Sequence, residues 1–196
     1  MGKSVLRRAG IIHSGETHHT WAFIRCPRLN HSLMKAVTHY LFSSGVSLSL
    51  LSLLHALSLP SIVMALWLSL SINYLIDVLG HLSRDGIPTR TRVTHSIFTA
   101  PFWGAFVAIV SLTALSQALG SGILWGALAF WTLMGFLVSE EHLLLDSLTQ
   151  AGIYSWRRRM AIAHFRYDNI LLNLGFALLG AFLIAAALGL WSLPQG

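Results

Sequence analysis

Residues 97–146 read IFTAPFWGAFVAIVSLTALSQALGSGILWGALAFWTLMGFLVSEEHLLLD, a stretch without one lysine or arginine. It divides at Gly120-Ser121-Gly122, a turn signal, into two apolar runs, 97–119 and 123–145. Each is long enough to cross a bilayer, for which about 20 mostly apolar residues suffice. Working outward, three further runs of this kind cover 40–57, closed by Leu59-Pro60, then 61–79, and 170–191 with Pro194 beyond. The expected fold is all-α and integral to the membrane, a five-span helical bundle.

Composition supports the same reading. Of 196 residues, 55% are hydrophobic and 10% charged, and mean hydropathy is +0.66. A soluble domain carries about 25% charged residues, so this chain has too few to cover a water-facing surface. Disorder, which needs low hydrophobicity and high charge, is excluded. Cys26 stands alone, so neither an intramolecular disulfide nor a thiolate zinc site is available. The net charge of +6 would suggest nucleic acid in a soluble protein; in so apolar a chain it reads as topology, and no nucleic-acid partner is expected. All 13 Lys and Arg lie before the first span, between spans two and three, or between spans four and five. By the positive-inside rule the N-terminus and those two loops are cytoplasmic and the C-terminus is outside. The expected location is the plasma (inner) membrane, with the lipid bilayer as partner.

Residues 1–33 differ from the rest: polar, basic and bearing His13, His18, His19 and His31. They lack the apolar core of a signal peptide and read as a dispensable tail before a helical domain over 34–196, with Met34 a natural beginning.

The polar residues at the span borders carry the chemistry. Charge at bilayer depth costs about 2.5–3.5 kcal/mol on insertion scales, so such residues default to functional candidates. His39 opens span one, Asp77 and His81 close span two, His95 opens span three, His142 and Asp146 close span four, and His164 and Asp168 precede span five. All fall at the same membrane face. Three His–Asp pairs, Asp77/His81, His142/Asp146 and His164/Asp168, have the i, i+4 spacing that puts both side chains on one helix face. Two such pairs on neighbouring helices hold a divalent metal; imidazole with carboxylate suits Zn, and also Mn, Fe or Ni. The metal candidates are His39, Asp77, His81, His95, His142 and Asp146, with His164 and Asp168 as possible additions. The alternative for any one pair is a polar clamp between helices. His55, toward the other end of span one, reads as structural, and Glu140 or Glu141 as facing either the site or the interface. The tryptophans read as interfacial belts, and Ser43/Ser44/Gly45, Gly175 and Gly180 as small-residue helix contacts. Most of the arginines meet anionic headgroups; Arg90 and Arg92, flanking the approach to Thr94-His95-Ser96, are candidates to bind a substrate phosphate or carboxylate.

Four segments carry a family resemblance: Thr38-His39-Tyr40, the IDVLGH ending at His81, the RTRVTHS ending at Ser96, and the HLLLDSLTQAGIY of 142–154. From Met34 onward the chain resembles inner-membrane-associated metal-dependent hydrolases of the LexA-binding type, and looks most similar to an archaeal branch. His39, Asp77, His81, His95, Ser96, His142, Asp146, Thr149 and Gly152 match its pattern. Two departures stand out: Gly80 where the family often has a second acid, and Arg90-Thr91-Arg92 where it has His-Arg-Gly. The resemblance implies a metal-dependent hydrolase with one expected ligand missing or replaced. With the residue reading, it sets the expectation of a divalent-metal site, Zn first, at the cytoplasmic face. Asp77, His95 and Asp146 share the general-base and ligand roles, and Arg90, Arg92 and Ser96 contact the substrate, a phospholipid or other amphiphilic phosphoester. The rival expectation is a non-enzymatic membrane protein, either a helix bundle with His/Asp clamps or a metal-ion transporter.

Overall fold

The computed structural model describes residues 29–84, 87–122 and 125–189. Five helices dominate: α1 (Leu29–Leu53), α2 (Leu59–Gly80), α3 (Ala100–Ala118), α4 (Trp125–Ser147) and α5 (Ile170–Ala187). Each is long and apolar enough to cross a membrane. The expected tail residues 1–28, with Cys26, lie outside the described residues, as do the expected end of span five at Trp191 and Pro194. α1 opens at Leu29, inside the stretch read as a tail, and ends before residue 57 because His55 takes a left-handed backbone at φ 53°. Leu59-Pro60 does not lie between two helices. It is the first turn of α2, where proline costs no hydrogen bond. Ser58 caps that turn, accepting from the Ser61 backbone N–H at 3.3 Å while its own N–H donates to Ser61 Oγ at 2.8 Å.

The expectation of an all-α chain needs one correction. Two short antiparallel hairpins sit among the helix ends: β1 (His81–Arg84) with β2 (Ile87–Arg90), and β3 (Ile153–Ser155) with β4 (Arg158–Met160). The first follows directly on α2 and the second starts after the five residues 148–152 that follow α4, both helices whose ends carry site residues, so the chain turns beside the site rather than running away from it.

α2 is the central element. Its buried positions Met64, Ala65, Leu68, Ser69, Ile72, Asn73, Ile76 and Gly80 recur at three and four residues, a stripe wide enough to meet α1, α3 and α4. Leu68, Ile72 and Ile76 pack with Ala108 of α3 and Met134, Val138 and Leu143 of α4. A second cluster joins Leu48 and Leu51 of α1 to Ala65 of α2. Close approach elsewhere depends on glycine pairs. A Cβ on Gly104 or Gly135 would strike the other's carbonyl across α3–α4, and one on Gly45 or Gly180 would strike the facing backbone across α1–α5. Gly175, expected to be such a contact, has nothing within 4 Å. Only Gly180 of α5 is buried, while Leu171, Leu174, Leu178 and Phe182 stay exposed, an apolar face that suits hydrocarbon and not water.

Candidate metal centre

The N-terminal half of α1, the C-termini of α2 and α4, and the segment entering α3 meet at one end of the bundle. Their polar side chains form a single buried cluster. α4 presents His142 and Asp146 on one face, one turn apart, as the i, i+4 spacing predicts: His142 Nε2 is 3.4 Å from Asp146 Oδ2. α1 lays His39 against them, its ring stacked on His142 at 4.3 Å between centroids and its Nε2 3.5 Å from Asp146 Oδ1. α2 contributes Asp77, whose Oδ1 lies 3.6 Å from His142 Nε2. His95 completes the group, its Nε2 3.2 Å from Asp146 Oδ2. Two overlapping sets of potential ligands result, His39/His142/Asp146 and Asp77/His95/His142, with His142 common to both.

His81 stands at the rim. It leaves α2 in an extended conformation, so its pairing with Asp77 is not that of two residues on one helix face. Its Nδ1 donates to the Asp77 carbonyl oxygen at 2.9 Å, capping α2, and lies 3.5 Å from Asp77 Oδ1. Its ring meets that of His95 edge-on at 5.1 Å.

His95 is held from three sides. Thr94 Oγ1 lies 3.0 Å from its Nδ1. Its carbonyl accepts from the Tyr154 N–H at 2.7 Å, and the Ile97 N–H donates back to the Tyr154 carbonyl at 3.0 Å, tying the segment to β3. Its ring seats on Gly80, where any Cβ would collide with Thr94 Oγ1 and with His95 Nδ1 and Cε1. Gly80, which the resemblance marks as a lost acid, is the floor that admits His95. Burial pushes the His95 imidazole down to about 4, despite the opposing pull of Asp146, so at neutral pH it is uncharged and able to act as a ligand.

Asp146 is anchored by Arg90. The guanidinium Nη2 donates to Asp146 Oδ1 at 2.5 Å, and Nη1 donates to the Asp146 carbonyl, Thr149 Oγ1 and the Gly152 carbonyl at 3.2, 3.0 and 2.9 Å. These contacts engage both terminal nitrogens of a side chain that is 7% exposed. Arg90 therefore positions Asp146 and the turn after α4; expected to bind a substrate phosphate or carboxylate, it turns both terminal nitrogens to groups of the chain itself.

The remaining expectations divide. Arg92 is exposed with its guanidinium 5.4 Å over the Tyr154 ring. Ser96 is buried and opens the turn into α3, its Oγ accepting from the Phe98 N–H at 3.3 Å and its carbonyl from the Thr99 and Ala100 N–H groups. His164 and Asp168 fall in a loop, so their spacing has no helical meaning; Asp168 takes both oxygens to Arg166 at 3.0 and 3.1 Å. Neither belongs to the groups able to hold an ion among the described residues. His55 is exposed and distant in the fold, at the far end of α1. Glu141 is buried but is likewise outside those groups. One residue without an expected role proves central, Asn73, hydrogen-bonded to His142 Nδ1 at 2.8 Å, and Arg90 is central in a role other than the expected one. An asparagine inside an apolar span was the one visible signal for the former.

The donor set fits a divalent cation. His95 Nε2, His142 Nε2 and Asp146 Oδ2 are buried and have no hydrogen-bond partner among the described residues. Buried polar atoms are almost always paired, and orphaned atoms this close call for something between them. The successive separations of 3.2, 3.4 and 3.6 Å along His95, Asp146, His142 and Asp77 are close to the roughly 3.3–3.6 Å between neighbouring ligands of a tetrahedral ion with bonds of about 2.0–2.2 Å.

Five helices long and apolar enough to cross a membrane, with a buried histidine–aspartate cluster at one end, are consistent with a multi-pass membrane protein. The chain belongs to the DUF1286 family, described as protein of unknown function, whose model matches residues 34–145. That span takes in His39, Asp77, His81, His95 and His142 and stops one residue short of Asp146. No match was found among curated proteins or solved structures.

Proposed function

We propose that this protein is a metal-dependent membrane hydrolase, with His95, His142 and Asp146, joined by His39 and Asp77, holding one divalent cation, zinc the best fit. The observation that carries the reading is the convergence of three buried, unpartnered ligand atoms from α4 and the α3 approach. The similarity to LexA-binding-type hydrolases points to the same chemistry. A bound divalent ion lowers the pKa of its water toward 7 and polarises the scissile group. The chain's own residues do the rest. Asn73 and Thr94 orient imidazoles, Arg90 fixes Asp146, and the half-exposed Asp77 is the carboxylate placed to accept a proton from a nucleophile approaching from the rim. Because the cluster lies at helix ends, and exposed Arg92 lies in the His95 segment and exposed Arg157–Arg159 in the hairpin joined to it through Tyr154, the substrate that suits it is an amphiphile with a phosphoester headgroup. Detergent-purified protein prepared with ample zinc is expected to carry about one equivalent, lost in both His142→Ala and Asp146→Ala. Negligible metal in the wild type would overturn the reading.

One observation favours a rival. Asp146 already has a guanidinium partner, so its charge is balanced without an ion, as in a polar clamp that only joins helices. In that case the protein purifies without stoichiometric metal, and His142→Ala lowers thermal stability alone.

The distribution of basic residues supports a cytoplasmic site. In a Cys26→Ser background, Arg157→Cys at the exposed β3–β4 turn is expected to react with an impermeant maleimide in inverted vesicles and not in intact cells. Labelling of intact cells would reverse the orientation.

A further inference from the structure

Asn73 lies in the C-terminal third of α2, one turn before Asp77, and is fully buried. A buried amide in an apolar helix needs a reason, and its hydrogen bonds supply one. Nδ2 donates to Ser43 Oγ at 2.9 Å and to the Ser69 carbonyl at 2.6 Å. The Ser43 hydroxyl hydrogen is spent on the His39 carbonyl at 2.6 Å, so toward Asn73 its oxygen accepts. Both amide hydrogens are thereby placed, and a flipped amide would set Oδ1 against the Ser69 carbonyl. The orientation leaves Oδ1 facing His142 Nδ1 at 2.8 Å. An amide oxygen only accepts, so Nδ1 carries the proton, and in the neutral ring the lone pair sits on Nε2. That nitrogen lies 3.4 Å from Asp146 Oδ2 and 3.6 Å from Asp77 Oδ1 without a hydrogen bond.

We infer that Asn73 is a positioning residue that locks His142 in the Nδ1–H tautomer and turns Nε2 into the cluster as a ligand atom. This rests on the cation-site reading for its purpose, but the tautomer itself does not. The partner that ligating histidines commonly take on their second nitrogen is a carboxylate or a backbone carbonyl; here it is a buried side-chain amide of α2, whose own orientation is set by Ser43 of α1 and the Ser69 carbonyl. The Ser43–Asn73–His142 chain thus ties three helices to one ligand orientation.

The test combines nitrogen-15 NMR of histidine-labelled protein in detergent with zinc titration, on wild type, Asn73→Leu and Asn73→Asp. The His142 signals are assigned by their loss in His142→Gln. Metal-free wild type is expected to show a protonated Nδ1 and an unprotonated Nε2. Asn73→Leu, which keeps bulk but removes the acceptor, should lose that preference and bind zinc about 10–100-fold more weakly. Asn73→Asp keeps an oxygen facing Nδ1 and should retain the tautomer, while its second oxygen, set against the Ser69 carbonyl where Nδ2 had donated, lowers thermal stability. An Nε2–H tautomer in the wild type overturns the inference even where Asn73→Leu fails to fold. So does an Asn73→Leu protein with unchanged tautomer and affinity, the outcome of a merely structural role. If the wild type binds no zinc, the cation reading falls, while the tautomer still decides the role of Asn73.

Discussion

Introducing an aspartate at Gly80, the acid that the family resemblance leads one to look for there, is expected to weaken zinc binding by about 10–100-fold or more rather than strengthen it. A Cβ at this position overlaps Thr94 Oγ1 and the His95 ring, and both residues are fully buried, so neither has space to withdraw into. The ring must leave its seat, and with it goes a ligand whose Nε2 lies 3.2 Å from Asp146 Oδ2. Even Gly80→Ala should show the effect, together with an overpacking cost of about 1–3 kcal/mol in detergent unfolding. Gly175→Ala, on a backbone with open space around it, is the control and should change neither quantity. Because Gly80→Ala acts through the His95 ring, its effect on zinc affinity should not add to that of His95→Ala; residues sharing one contact couple in this way. Full additivity, or a Gly80→Asp protein that binds zinc more tightly, would show that the resemblance had marked a genuine ligand position and that the close approach is dispensable.

Gly80 also shows where reading the sequence stops. Five apolar runs are legible because hydrocarbon demands long, uninterrupted hydropathy, and α2, α3 and α4 lie within a few residues of where it places them. Candidate ligands are legible because imidazoles and carboxylates are conspicuous in such runs. The i, i+4 rule, however, holds only where the helix does. It succeeds at His142/Asp146, inside α4, half-holds at His81, where α2 gives way to β1, and fails at His164/Asp168, which lie in a loop. The hairpins escape notice because strands of three or four residues, rich in arginine, have no room for a period-two pattern to show. The roles of Arg90 and Asn73 depend on contacts 56 and 69 residues away, which local spacing does not encode. Arginine awaiting a substrate phosphate and arginine anchoring a carboxylate look alike until the fold decides which partner is within reach.

Arg90 carries the second large effect. Arg90→Leu leaves the Asp146 carboxylate, 3% exposed, without its guanidinium, and removing one member of a buried ion pair costs about 3–5 kcal/mol. The loss reaches further than the pair. Nη1 also holds the Asp146 carbonyl, Thr149 Oγ1 and the Gly152 carbonyl, so the turn joining α4 to β3 loosens, and β3 is bonded in turn to the His95 segment. Arg90→Lys keeps the charge, but a single ammonium does not reproduce the planar fork, so it should recover part of the stability without restoring the turn. Zinc separates the two readings of the cluster. If Asp146 is a ligand, a cation replaces much of the missing positive charge, so zinc should stabilise Arg90→Leu against thermal unfolding by more than it stabilises the wild type. Were the cluster only a clamp between helices, zinc would leave the unfolding temperature of both proteins where it was, and Arg90→Leu would remain as unstable with the ion as without it.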